Sequence, residues 1–282
     1  MKTQSKIHIL IPAIFLYHDE PIINLHFMQE LLIPLLTILI SGTILWIWEI
    51  KQPFRKIQHL PTFIQDLREL PIIFLFIVVS AQISSYAGNL FVFPTIDAVT
   101  HSLGWTLVLS LPLWLRIIIA ILLKDLIAYF NHWLMHHNLV LWRSHKWHHL
   151  QKPMYWLKGN KNSLIAKIIA KWDFLVFPLL EIPLNITLIC VLAYSFFTFF
   201  VHSNIQWLPW MRAVEWVVVT PRYHLVHHSS NIQLQSKNLG DIFRFCDRIF
   251  GTYVDPETFD PSHEEFGLDK DESLTLRMII GI

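Results

Sequence analysis

Residues 70–93 read LPIIFLFIVVSAQISSYAGNLFVF and contain no Asp, Glu, Lys or Arg. A helix needs about 20 mostly apolar residues to cross the hydrocarbon core of a bilayer. The stretch is long enough for that and too apolar for an ordinary surface helix. Two further stretches match it, ELLIPLLTILISGTILWIWEI at 30–50 and LPLWLRIIIAILLKDLIAYFNHW at 111–133. A fourth apolar region, 164–201, is interrupted by Pro178, Glu181, Pro183 and Asn185. It reads as a helical hairpin turning near Glu181–Asn185, its first arm, with Lys167 and Lys171, lying partly in the interface. The expected fold is therefore all-α: a polytopic membrane protein with about four to five transmembrane or re-entrant helices. Charged residues make up 15% of the chain, against roughly 25% in soluble domains. That balance agrees with the spans.

Loop charge sets the expected orientation. The segment 51–69 holds Lys51, Arg55, Lys56 and Arg68, and 134–163 holds Arg143, Lys146, Lys152, Lys158 and Lys161. The loop 94–110 holds no Lys or Arg. The first two should be cytoplasmic and the third outside. The more polar 203–282 then forms a cytoplasmic helical cap rich in histidine. A net charge of +1 offers no field for nucleic acid. Cys190 and Cys246 supply neither a disulfide framework nor a C-x-x-C pair. The N-terminus lacks a clear cleavage site before His18-Asp19-Glu20, so no removable signal peptide is expected. The chain should be an integral, multi-pass protein of a bacterial inner membrane or the endoplasmic reticulum.

Sixteen histidines are the chemical signal. Two stretches, RSHKWHH and RYHLVHH, share the form R-x-H-x-x-H-H: His145, His148, His149 and His224, His227, His228. On a helix the three histidines of each box span an arc of about 100°, so the spacing predicts that they converge on one point. His132 and His136, four apart, share a face. His137 points about 140° from His132, and spacing leaves its membership open. With His202 this makes nine candidates, all placed by the topology on one side of the membrane. His8, His18, His26, His59, His101 and His263 show no such pattern. Nine imidazoles exceed the three or four ligands of a zinc site, and no thiolate accompanies them. Two metals with four or five nitrogens each would use the set, and iron fits if the task is oxygen chemistry.

Asp125 lies inside an apolar span, where an ionisable group is costly and commonly functional. Asp125, Tyr129, His132 and His136 fall on one helical stripe. A carboxylate there is expected to accept the second N–H of a ligand histidine and fix its tautomer. The plainer alternative pairs it with its neighbour Lys124. Arg116 and Lys124 are expected to snorkel or pair.

At these residues the chain resembles the fatty acid hydroxylase / sterol desaturase superfamily of membrane di-iron, histidine-box enzymes. The likeness runs from about Asp125 to Tyr253. Its pieces come in order: D-x3-Y-x2-H-x3-H as Asp125, Tyr129, His132 and His136, then the first box, then His202-Ser203-Asn204, then TPRYHLVHH. The tail NLGDIFRFCDRIFGTY follows, with Asn238, Gly240, Asp247, Arg248, Gly251 and Thr252 matching. FVHSNIQW and the TP before the second box look most like bacterial sterol-desaturase-like proteins and the alkylglycerol monooxygenase branch. There are departures. Trp133 stands where Arg is frequent, Lys152 lies in an acidic neighbourhood, and Lys161 is near the place of an Arg. Ser236 replaces an acid, and Leu239 and Cys246 replace Tyr and Trp. None removes a histidine of the set.

The resemblance implies an O2-dependent oxidoreductase of lipid metabolism, with two iron ions held by His132, His136, His145, His148, His149, His202, His224, His227 and His228. Residues 1–110 would be an N-terminal transmembrane region and 111–282 the catalytic domain. The substrate would be a membrane lipid, hydroxylated or desaturated at a sterol, fatty acyl or alkyl-lipid C–H bond. Asp125 and Asn204 would orient ligands, Tyr129 would offer a hydrogen bond to the site, and Asp247 with Arg248 would fasten the cap. No fused haem or flavin module is evident. Electrons would therefore come from a cytochrome, a ferredoxin, a reductase or a pterin. A histidine-based metal transporter would instead place its site near the midplane on broken helices. A zinc protease would need H-E-x-x-H, which the chain lacks. A non-catalytic relative, suggested by Trp133 and Lys152, would lack bound metal.

Overall fold

The computed structural model describes residues 23–92, 94, 95, 98, 105–258, 265–268 and 272–282, with side chains from Pro34 onward except that of Thr106. His8, His18, His101 and His263, and the side chain of His26, lie outside the described residues. The described residues are helical and form no strand, only three isolated β-bridges.

Three helices are long and apolar enough to cross a membrane: Pro34–Lys51, Leu70–Val92 and Leu184–Val201. The first is the C-terminal part of α1 (Ile23–Lys51). After α2 (His59–Leu67), the second begins as α3 (Leu70–Ala87) and finishes in a π-helical turn, Gly88–Val92. Their outer faces leave Leu36, Ile40, Leu75 and Phe91 exposed, an apolar surface that lipid tails would cover. The helix predicted near 111–133 forms as α4 (Leu113–His137). It is as long as a span but carries Arg116, Lys124 and Asp125, and the first two pair. Arg116 donates to the Leu180 carbonyl at 2.8 Å, and Lys124 binds Asp241.

The hairpin turns where expected, but its arms are unequal. The first is broken into three pieces: α6 (Leu164–Trp172), a 3-10 turn at Asp173–Leu175 and a short helix at Val176–Leu179. Glu181 takes a left-handed φ of 48° at the turn. Only the second arm, α7 (Leu184–Val201), has spanning length.

Between α4 and α6 lies α5 (Leu139–His149), separated from α4 by the single residue Asn138. Asn138 adopts extended backbone, and its side chain accepts from the amides of Val140 at 2.9 Å and Leu141 at 3.1 Å. Ending one helix and capping the next is what Asn does well. The break folds α5 back along α4. After α7, the cap contributes α8 (Pro209–Glu215), α9 (Pro221–His227), α10 (Phe245–Phe250) and α11 (Leu276–Ile280). The side chain of Thr220 accepts from the Tyr223 amide, and Pro221 opens α9, a preferred start for a helix. Gly42 lets α1 press onto Trp156: a Cβ there would meet the indole at 2.4 Å. α1 also lies along α7, α3 along α6, and α11 against α5.

Candidate metal centre

The ends of these elements meet around histidine. His132 and His136 occupy the last turns of α4, and His145, His148 and His149 the end of α5. His202 follows α7, and His224, His227 and His228 close α9. All nine predicted ligands are brought together. They form two adjoining groups: His132, His136, His145, His149 and His227 in one, and His148, His202, His224 and His228 in the other. The ligand atoms lie within 4.8 Å of one another within each group. His137 is excluded: its ring stacks on Trp133, and its Nδ1 lies 2.8 Å from the Trp133 carbonyl at the surface.

The boxes do not converge on one point each, as the spacing predicted. Each is split. His145 and His149 join the first group while His148 joins the second, and His224 and His228 join the second while His227 joins the first. In both boxes the i, i+4 pair stays together and the fourth position crosses over. The arc of about 100° is wide enough to serve two centres once two boxes face each other.

Hydrogen bonding reveals what the groups need. His148 Nδ1 faces the Lys161 carbonyl at 3.3 Å, and His202 Nδ1 faces the Thr198 carbonyl at 2.6 Å. A carbonyl only accepts, so both Nδ1 atoms carry the proton and both Nε2 atoms present lone pairs. Those Nε2 atoms lie 2.9 Å apart. The first group repeats the arrangement. His132 Nδ1 meets Leu239 O at 2.9 Å, His227 Nδ1 meets Lys237 O at 3.2 Å, and the Nε2 atoms are 3.0 Å apart. Two lone pairs at that distance repel unless an electrophile lies between them. The donor set thus fits one cation per group, held by neutral imidazoles whose far nitrogens are fixed by backbone carbonyls.

Burial keeps the cage neutral. It pushes the His202 imidazole down to about 4. Burial and neighbouring histidines hold His148, His224 and His228 well below the usual range. An unfolded histidine takes up a proton near pH 6.5, whereas folded His202 does not until about pH 4, and its caged neighbours stay neutral below the usual range as well. The unfolded state binds more protons in that window, so stability falls as pH drops through it and is insensitive to these groups above it. The thermal midpoint of metal-stripped protein should decline from about pH 6.5 towards pH 4. A flat midpoint there would contradict a neutral cage.

Three predicted roles need correction. Asp125 touches no histidine; its carboxylate accepts from the amides of Ile242 at 2.7 Å and Phe243 at 3.3 Å. It anchors the loop whose Leu239 carbonyl reaches His132. Tyr129 does not face the centre either. The Thr252 hydroxyl donates to Asp247 at 2.6 Å, so Tyr129 donates to Thr252 at 2.7 Å and its proton is committed. Asn204 pairs with the backbone of Arg55, accepting at 2.9 Å and donating at 2.7 Å. Asp247 fastens the cap as expected, taking four donors on two oxygens. Arg248 lies over Tyr253 at 4.3 Å.

Sequence reasoning missed Glu49. It is fully buried and accepts from the amides of Asn204 at 2.7 Å and Trp156 at 2.8 Å. It thus ties α1 to the strand of chain leaving His202. An acid at the end of an apolar span was the available signal. Asp66 was missed too; it binds Lys158 at 2.7 Å and Lys161 at 2.5 Å, fixing the segment whose carbonyl holds His148.

A cavity of about 450 Å³ opens on the centre. His132, His145, His148, His202 and His224 line it, and so do the apolar side chains of Ile38, Ile77, Phe174, Val191 and Leu192. Gly159 backs His202 so closely that a Cβ would lie 2.9 Å from its Nδ1 and 2.8 Å from the Thr198 carbonyl. Both contacts are tighter than packing allows. Gly159→Ala should therefore push His202 off its carbonyl and weaken metal retention by about 10–100-fold, the usual cost of a disturbed supporting contact. Metal titration of the variant checks this.

Residues 117–252 match the fatty acid hydroxylase family. The chain is 27% identical to the alkylglycerol monooxygenase of Danio rerio over 140 residues, 50% of this chain and 30% of that protein. Against the Xenopus tropicalis alkylglycerol monooxygenase it is 25% identical over 126 residues, 45% of this chain and 28% of that protein. The Rhizobium tropici ornithine lipid hydroxylase OlsE is 26% identical over 161 residues, 56% of this chain and 46% of that protein. The matches thus span less than half of each relative's length. No solved structure matches the chain. The matched segment holds all nine caged histidines and both boxes, and over it the chain is similar to the fatty acid hydroxylase family.

Proposed function

We propose that this chain is a membrane-bound di-iron oxygenase that hydroxylates or desaturates a lipid C–H bond, using O2 and electrons from an external donor. One observation carries the reading: one cavity is lined both by histidines of the two cages and by the walls of membrane-length helices. The names of the relatives, a monooxygenase of alkylglycerols and a hydroxylase of ornithine lipid, support a lipid substrate. Nine imidazoles without a thiolate support iron. Five in one group exceed the usual complement of a zinc site.

Bound iron would supply the electron transfers by which O2 is reduced and a C–H bond oxidised. The histidines hold it, and the carbonyls of Leu239, Lys237, Lys161 and Thr198 set their tautomers. The apolar wall excludes water and guides a hydrocarbon to the cage, protecting the oxidising step from side reactions. Residues 111–282 form the catalytic domain on this reading, and residues 1–110 the transmembrane region that lends it Glu49. The Lys- and Arg-bearing loops support a cytoplasmic position for the cages, where a separate cytochrome, ferredoxin, reductase or pterin would supply electrons. Iron should be measured in the detergent-purified protein, and lipid extracts compared between cells with and without the gene. About two irons per chain and a shifted lipid species are expected. About one zinc per chain with unchanged lipids would sink the reading, and metal flux without lipid change would favour transport.

A further inference from the structure

The cavity is one approach to the cage, and Trp142 on α5 is another. The Trp142 side chain is partly exposed. Its ring centre lies 5.1 Å from that of His136, 5.3 Å from His149 and 6.4 Å from His145. All three belong to the five-histidine group. Trp142, His136 and His149 do not line the cavity, so the indole reaches the cage by a route separate from the lipid's. Beside it, the tip that joins α4 to α5 leaves Leu139 84% and Val140 67% exposed. Leu139, Trp142 and Arg143 share a helical face by their spacing. Arg143 is exposed, whereas Lys146 in the following turn is paired with Glu272 at 2.5 Å. No Asp or Glu occurs between Asp125 and Asp173, so this helical pair contributes only positive charge around the indole. On the orientation proposed above, the tip projects into the cytoplasm, beyond the reach of lipid tails.

We infer that Leu139, Val140, Trp142 and Arg143 form the docking surface for the electron donor, an acidic one-electron carrier protein, and that electrons enter through Trp142. The inference rests on the oxygenase reading, which needs electrons from outside. Electron transfer weakens steeply with distance, and a carrier seated on the indole is separated from the caged ion by one indole and one imidazole. The carrier loses one electron, and the ion of the five-histidine group gains it, ferric becoming ferrous. No bond forms or breaks and no proton moves; Trp142 conducts without being oxidised. Arg143 steers an acidic partner, and Leu139 and Val140 supply the apolar contact. Redox encounters use interfaces under about 1,200 Å², so a short helical tip suffices.

Reduction without turnover tests this. Oxidised, iron-loaded full-length protein in detergent is mixed without O2 in a stopped-flow spectrometer. The reductant is either a photoreduced plant-type [2Fe–2S] ferredoxin, an acidic carrier of about −400 mV, or dithionite, which needs no docking. Iron per chain is measured on the same samples. The wild-type rate with ferredoxin should fall several-fold with added salt. Arg143→Glu should slow that reduction by roughly tenfold and flatten its salt dependence, with iron content and the dithionite rate unchanged. Leu139→Asp, at an exposed position, should slow it too. Trp142→Leu should slow it several-fold even at saturating ferredoxin, which separates electron entry from docking. Protein without iron, or iron that dithionite cannot reduce, sinks the oxygenase reading and this inference with it. Iron that dithionite reduces, with a ferredoxin rate indifferent to salt or unchanged in Arg143→Glu, overturns the docking surface alone. Leu139→Asp protein that keeps the full ferredoxin rate but runs as a smaller particle in size-exclusion chromatography makes the tip an interface between copies and also overturns it.

Discussion

His148→Ala should remove about one of two metal ions per chain and abolish lipid turnover, while His137→Ala removes neither. His148 belongs with His202, His224 and His228, although its chain neighbours His145 and His149 serve the other group. Its Nε2 lies 2.9 Å from that of His202, and the carbonyls of Lys161 and Thr198 give both rings the same tautomer. Without His148, the four-histidine group keeps three ligands. A disturbed supporting contact already costs about 10–100-fold in affinity or activity, so loss of the ligand itself should exceed that. His149→Ala should deplete the other ion instead, and His227→Ala should resemble His149→Ala more than His228→Ala. Metal analysis with iron spectroscopy on the single variants separates these patterns. Identical depletion by His148→Ala and His149→Ala would refute the crossing of the boxes. His137 is outside the cage and stacked on Trp133 at the surface, so it controls for loss of any histidine.

Helical arithmetic picked out histidines that the fold brings together because the i, i+4 relation is local. It assigned each box to one point because it treats one helix at a time. The crossing of His148 and His227 arises only when α5 faces α9, which no single-helix pattern contains. Asp125 shows a similar limit. Its burial in an apolar span was legible, and so was its stripe with His132. Its partners, the amides of Ile242 and Phe243, are more than a hundred residues away in sequence. A buried carboxylate is satisfied as well by backbone amides as by an imidazole, and the sequence holds no preference between them. Apolar length revealed three spans. The stretch at 111–133 forms a helix of spanning length interrupted by charge, and the first arm of the hairpin breaks at Asp173–Leu175 before the Pro178 turn, leaving short helical pieces.

The carboxylate of Asp247 should be the costliest group to remove outside the cage. Its Oδ1 accepts from the Leu239 amide at 2.8 Å and the Thr252 hydroxyl at 2.6 Å. Its Oδ2 accepts from the Gly240 amide at 2.7 Å and the Tyr223 hydroxyl at 2.9 Å. Asp247 and Tyr223 are both inaccessible to solvent, so water cannot replace the lost acceptor. Each orphaned buried donor costs about 1–3 kcal/mol. Four of them make Asp247→Ala destabilising by on the order of 4 kcal/mol or more, in the exceptional range for single substitutions. The damage should reach the metal through the loop. Freed amides at 239 and 240 let the Leu239 carbonyl leave His132, whose Nδ1 it holds at 2.9 Å. Thr252→Val separates the two effects. It breaks the bonds to Asp247 and Tyr129 but keeps three donors on the carboxylate, so it should cost about 1–2 kcal/mol and retain metal. Thermal unfolding in detergent, with metal content measured before heating, reads both quantities. If Asp247→Ala proved no less stable than Thr252→Val, the carboxylate would not be the hub that holds the cap to the cage.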